Sequence, residues 1–248
     1  SESLDFVFER ANSALITQDF EYAEQLLTNV LKKHPDILPH DKTKIESLLA
    51  RIYGDEGDLE RSLAAYLRLY EREPDNVDLM LSLGRIYRHL GRYDAALEIL
   101  KKAEDIGGDT DEILYNIAKT YKRMGNYDEA SDYFSRAIEV KPDHAHAYDR
   151  LGNLYVLTGD TDKAIEVYKQ GLRVDPNHPY LNFHLAGLLR QEKRYEEAIV
   201  YYNSALRINP AWGEVLSGIA AAYLQLDKLD DALNTYRSLL RVTGENAP

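Results

Sequence analysis

Apolar and small residues along this chain recur at steps of three and four, and each run of them stops at a regular place. Between Asp111 and Pro142, the residues Ile113, Leu114, Ile117, Ala118, Tyr121 and Met124 keep the spacing of one face of a helix. Gly125-Asn126 interrupts the run. Tyr127, Ala130, Tyr133, Phe134, Ala137, Ile138 and Val140 then trace a second amphipathic stretch that Pro142 ends. The segment predicts a helical hairpin.

The hairpin pattern repeats. Ala96, Ala130, Ala164, Ala198 and Ala232 stand 34 residues apart, and Tyr87, Tyr121, Tyr155 and Tyr223 keep the same step with Leu189 in the gap. Gly91, Gly125 and Gly159, then Pro142, Pro176 and Pro210, fall into register behind them. Seven copies are legible, at about residues 4–35, 43–76, 77–110, 111–144, 145–178, 179–212 and 213–244. A fixed period of this size predicts stacked copies of one unit, each burying its apolar face against its neighbours. We read 1–248 as a single array; its one irregular step leaves residues 36–42 as an insertion, expected to be a loop.

Small residues are needed where two helices cross closely, so Ala118 and Ala130 are expected at such a crossing, with Tyr121 and Phe134 filling the wider space beside it. The polar residues of Pro74-Asp75-Asn76, Pro142-Asp143 and Pro176-Asn177 suit the starts of the following helices, where a side-chain oxygen can accept from free backbone N–H groups.

These positions together resemble the tetratricopeptide repeat family, and the resemblance covers nearly the whole chain. It implies an all-α fold, a right-handed superhelical solenoid of seven helical hairpins. Departures are few: Gly108 and Gly244 stand where proline is usual, Gln18, Lys193 and Asp227 replace the turn glycine, and Gly171 takes a small-residue position.

Composition narrows the function. The net charge of −12 lacks the basic excess that neutralising phosphate backbones requires, so no nucleic acid is expected as partner. No apolar run reaches the length of a membrane span, and no signal peptide is visible. The chain opens Ser1-Glu2-Ser3 without an initiator methionine, as expected where an upstream segment is missing. Zero cysteines exclude disulfides and thiol catalysis and suit a cytoplasmic or a periplasmic home. Compartment is therefore open, with the cytoplasm preferred.

Polar residues are spread evenly over the repeats, without a nucleophile elbow or a phosphate-binding glycine loop. His144, His146, His178 and His184 have neither helical metal-ligand pairing nor a cysteine partner. No catalytic residue, cofactor or metal is expected. Asp230-Asp231 and Glu196-Glu197 fall in first turns of second helices, where the helix dipole accounts for them.

What remains is a surface. Positions two, five, nine and twelve of each copy return to one side of its first helix, opposite the apolar set. In the family this chain resembles, that stripe lines a concave groove that holds extended or helical peptides. Here the stripe and its flanks carry Arg85, Arg88, Tyr115, Asn116, Lys119, Lys122, Arg123, His146, Arg150 and Asn153, then Tyr180, Phe183 and His184. Asp78, Glu112 and Asp149 lie on the same side. The expected ligand is a protein segment with acidic residues toward the middle of the groove and an apolar anchor toward its C-terminal repeats.

A carboxylate-clamp subclass of the family binds acidic chaperone tails. Asn116 and Arg150 match two of its positions and His146 occupies a third, but Leu81 replaces a lysine and Arg85 an asparagine, so the clamp is incomplete. The last helix keeps Leu233, Tyr236, Leu240 and Val242, as internal copies keep Ile165, Tyr168, Leu172 and Val174. Without an extra closing helix, this face is expected to meet further chain or to self-associate. The expected function is a non-catalytic scaffold that binds a partner peptide, with an assembly unit or the targeting domain of a larger enzyme as alternatives.

Overall fold

A computed structural model describes residues 4–244; Ser1-Glu2-Ser3 and the last four residues lie outside it. The described residues form two compact units, one ending at Met124 and the other starting at Gly125. The first holds α1 (Leu4–Ile16), α2 (Phe20–Lys33), α3 (Pro39–Asp55), α4 (Leu59–Arg72), α5 (Val77–His89), α6 (Tyr93–Gly107) and α7 (Asp111–Met124). The second holds α8 (Tyr127–Val140), α9 (Ala145–Thr158), α10 (Thr161–Val174), α11 (Pro179–Gln191), α12 (Tyr195–Ile208), α13 (Gly213–Gln225) and α14 (Leu229–Gly244). No strand occurs among the described residues.

Helices pair as hairpins, α3 with α4 and α5 with α6 in the first unit, α9 with α10, α11 with α12 and α13 with α14 in the second. Each second helix also packs on the next first helix, as α4 does on α5 and α10 on α11. First helices of successive hairpins touch directly: α5 with α7, α9 with α11, and α11 with α13. Side by side, they present one row of surface within each unit.

The hairpins close because the sequence alternates size across each crossing. A Cβ on Gly84 of α5 would lie 2.6 Å from Leu100 of α6, and one on Gly152 of α9 would lie 2.3 Å from the Tyr168 ring of α10. Fully buried Ala96 and Ala164 flank the same crossings from the second helices, and Ala118 and Ala130 are equally buried. Bulk on one helix thus fills the hollow left on the other, as close packing demands.

Turns follow the same economy. Gly57, Gly91, Gly125 and Gly159 hold left-handed backbone with φ of 91°, 73°, 84° and 84°. Gln18, Lys193 and Asp227, the residues in the equivalent places, adopt it too, at 60°, 60° and 56°. Side chains tolerate this conformation at a cost of about 1–2 kcal/mol each. The turn geometry is kept even where glycine is not.

Two local expectations change. The 36–42 segment is not all loop, since α3 starts at Pro39 and its 17 residues include an added first turn. Proline suits that first position, where its missing N–H loses nothing. Capping also moves by one residue. Asn76 does cap α5, its side chain accepting from Leu79 N–H at 3.2 Å. Asp143 and Asn177 do not cap; the cap positions are His144 and His178.

Candidate functional site

In the first unit, α5 and α7 bring the predicted basic residues together. Arg85 and Arg123 are exposed, Tyr115, Asn116, Lys119 and Lys122 half-buried. Arg88 is buried, with 7 % of its surface exposed. Its Nη1 donates to the Asn116 backbone oxygen at 3.4 Å and to Asn116 Oδ1 at 3.3 Å, a neutral partner on the facing helix. Asn116 Nδ2 in turn donates to the Glu112 carbonyl at 2.9 Å. The amide expected to face a ligand is thus spent inside the protein, which leaves the clamp resemblance weaker still.

Electrostatics show how crowded this cluster is. Burial first, then the charges of Arg85 and Arg123, push the Arg88 guanidinium down to about 10, with only Tyr115 acting the other way. The His89 imidazole is also lowered, by partial burial and then by Arg88, Lys119, Arg85 and Arg123. No carboxylate is among the largest influences on either residue. Lys119 Nζ lies 5.3 Å from the Tyr115 ring centre, a cation–π arrangement.

The second unit uses its polar groups differently. Asp149, 4 % exposed, accepts from His184 Nδ1 at 2.6 Å, while Arg150 Nη1 stands 3.9 Å from its other oxygen. Burial pushes this carboxyl up, but the His184 hydrogen bond and charge, with Arg150 and His178, outweigh it and hold it below the usual range. Asn153 Nδ2 donates to the Asp149 carbonyl at 2.7 Å, and its Oδ1 accepts from Tyr168 Oη at 3.1 Å. Since the proton on His184 Nδ1 goes to Asp149, the 3.4 Å approach of Asn153 Nδ2 to that nitrogen is packing. Asn153 and His184 are therefore braces; His146 and Arg150 remain exposed.

Tyr180 and Phe183 join a larger aromatic group. Tyr180, 53 % exposed, meets Trp212 edge-on at 5.4 Å, and Phe183 stacks on the same indole at 4.8 Å. Phe183 also approaches Tyr202 at 6.2 Å. His178 lies 5.1 Å from His146 and 6.4 Å from Tyr180. Trp212 and His178 were not among the expected site residues. A signal was there: His144, His178 and Trp212 stand one period apart, each just before a first helix. The buried His178 ring caps α11 through Nδ1, which accepts from Leu181 N–H at 3.2 Å. Burial and the charge of His146 lower its basicity, which favours the neutral ring that this bond requires.

Among the described residues, no group of three or more His, Cys, Asp or Glu side chains is placed to hold a metal ion. No helix there is long and apolar enough to cross a membrane. The last helix, α14, buries only Ala232. Leu233 is 49 % exposed where the equivalent Ile165 and Ile199 are 9 % and 8 %, and Tyr236 is 37 % exposed where Tyr168 and Tyr202 are 1 % and 3 %.

Models described as tetratricopeptide repeat match residues 47–109 with 150–211, residues 109–177, and residues 189–248. A crystal structure of MamA aligns at 27% identity with a TM-score of 0.56, over 64% of this chain and 93% of that one. A structure of pilF from Pseudomonas aeruginosa aligns at 20% identity and a TM-score of 0.68, over 81% and 91% of the two chains. MamA from Desulfovibrio magneticus RS-1 aligns at 16% identity and 0.60, over 69% and 97%. The last two likenesses speak for the fold alone. No curated protein matches the chain.

Proposed function

We propose, from the premise that the chain belongs to the tetratricopeptide repeat family, that it binds a partner protein on the rows of first helices within its units. Members of this family are protein-interaction scaffolds, and this chain is read as one without catalysis of its own. The observation that carries the finer reading is the basic cluster of α5 and α7. In a chain of net charge −12, the charges of Arg85, Arg88, Lys119 and Arg123, from two neighbouring helices, all bear on His89. Like charges are held close only against a cost, and an acidic partner segment relieves it. The exposed Tyr180 beside Phe183 and Trp212 offers an aromatic anchor of the kind that dominates interfaces.

The test is capture of partners from the native organism, followed by mass spectrometry and affinity measurement at several salt concentrations. Glutamate at Arg85, Lys119 and Arg123, with glutamine at the buried Arg88, should weaken binding at least about tenfold and flatten its salt dependence. Unchanged affinity in a variant with native circular dichroism would sink the reading.

A second reading rests on α14. Apolar positions that are buried in internal hairpins are open at Leu233 and Tyr236, beside the exposed Leu229 and Leu240. We infer that this face packs on a second copy of the chain. Sedimentation at rising concentration should then show association that Leu240→Glu abolishes; a monomer indifferent to the substitution contradicts it.

A further inference from the structure

We infer that Arg85, Arg88 and Arg123 form a receptor for a doubly charged oxyanion, the phosphoryl group of a phosphorylated partner segment. This rests on the peptide-binding reading and makes the ligand specific.

Arg88 is more than nine-tenths buried, yet its hydrogen bonds go only to the uncharged Asn116. Buried guanidinium groups are normally matched by a carboxylate, because an unpaired buried charge is expensive. Among the described residues, none stands in ion-pair reach of Arg88, nor of Arg85 or Arg123. Arg88 Nε and Nη2 make no hydrogen bond to the described residues, and neither is sealed from solvent, so donors remain for an incoming group. Asn116, braced by the Glu112 carbonyl, fixes the rotamer from which they would act.

Charge selects the anion. The charges of Arg85 and Arg123 both bear on Arg88, and those of all three arginines and of Lys119 bear on the neighbouring His89. One carboxylate would leave most of that charge unanswered, whereas a phosphomonoester carries about −1.5 to −2 at neutral pH and three acceptor oxygens. Planar forks suit those oxygens better than point charges do. The residues involved extend past the clamp pattern: of these three arginines only Arg85 occupies a clamp position, and it is not the residue that pattern uses.

His89 supplies a built-in reporter. It faces Arg85 and Arg88 from its own helix and Lys119 and Arg123 from α7, all of which disfavour its protonation. An anion bound among them reverses that bias, so His89 should titrate at higher pH when the site is filled.

The experiment is an NMR titration of the full chain at constant ionic strength, reading the His89 ring and the arginine side chains. The probes are inorganic phosphate and a short peptide carrying phosphoserine, serine or glutamate at its centre. Phosphate should shift His89 saturably, and the phosphoserine peptide should bind at least about tenfold more tightly than the serine peptide. Arg88→Gln should remove that preference. If Arg88→Gln fails to fold, the exposed Arg85→Gln and Arg123→Gln should each reduce it severalfold, while Arg61→Gln, at an exposed arginine paired with Glu24 elsewhere in the unit, should not. No saturable shift overturns the site, and equal binding of glutamate and phosphoserine peptides overturns the choice of dianion. Failure here, with partner capture still lost in the fourfold variant, would remove the phosphoryl site and leave peptide binding standing. The reverse result would remove peptide binding by this surface alone.

Discussion

Substituting Gly152 with alanine is expected to lower the stability of the second unit by about 1–3 kcal/mol, the usual cost of overpacking. The sign is the point, because the same change on an open helical surface stabilises by up to about 1 kcal/mol. At Gly152 the new methyl carbon would stand 2.3 Å from Cε1 of Tyr168, a ring that is 1 % exposed and tethered to Asn153. It has nowhere to retreat. Gly187, in the next first helix, is the control: a Cβ there meets only Tyr202 Oη, at 3.7 Å, an ordinary contact. Gly187→Ala should therefore raise stability by a few tenths to about 1 kcal/mol. Urea denaturation of the two variants decides the matter, and shifts of the same sign would refute the packing account.

The second large effect runs against intuition, since removing a charged residue is expected to make the protein more stable. Arg88→Met should raise the unfolding free energy at pH 7 by about 1–3 kcal/mol. The guanidinium is pushed down to about 10 chiefly by burial, which corresponds to a penalty on the charged form of about 3 kcal/mol. Methionine fills similar space without that penalty and relieves Arg85 and Arg123 of a like charge. Against this, Asn116 loses a bond partner, worth about 0.5–1.5 kcal/mol, although water can reach its half-buried amide. Chemical denaturation measures the balance. A destabilised Arg88→Met would mean that the Asn116 bonds outweigh burial, and that Arg88 is structural first.

Both predictions depend on contacts that spacing alone does not reveal, and this marks the limit of what was legible. Hairpins could be read from the chain because each needs an apolar face at helical period and a stop, and both are local features. The glycine at the turn could be read for the same reason, and the left-handed backbone persists at Lys193 and Asp227 because the neighbouring helices fix the turn. The direction of a polar side chain is not local. Asn116 flanks the expected stripe and Asn153 stands in it, yet one is held by Arg88, 28 residues back, and the other by Tyr168, 15 residues on. Either amide would read the same in a linear pattern with an empty neighbourhood. Trp212 precedes its helix and so falls outside the stripe, although Tyr180 and Phe183 both rest on it.

The pairing of a small residue with a large one at each crossing also bears on how such a chain grows. Gly84 with Leu100, and Gly152 with Tyr168, lie within single hairpins, so a segment of gene encoding one hairpin carries both halves of its tightest fit. Duplication in whole hairpins preserves the match, whereas a break between the two helices separates the partners. The Gly218 contact with Tyr202 joins successive hairpins instead, and a Cβ there would lie 2.5 Å from the ring. Recombination at that junction must therefore keep neighbours together. Copies can multiply freely by the first kind of contact, and the second kind fixes their order.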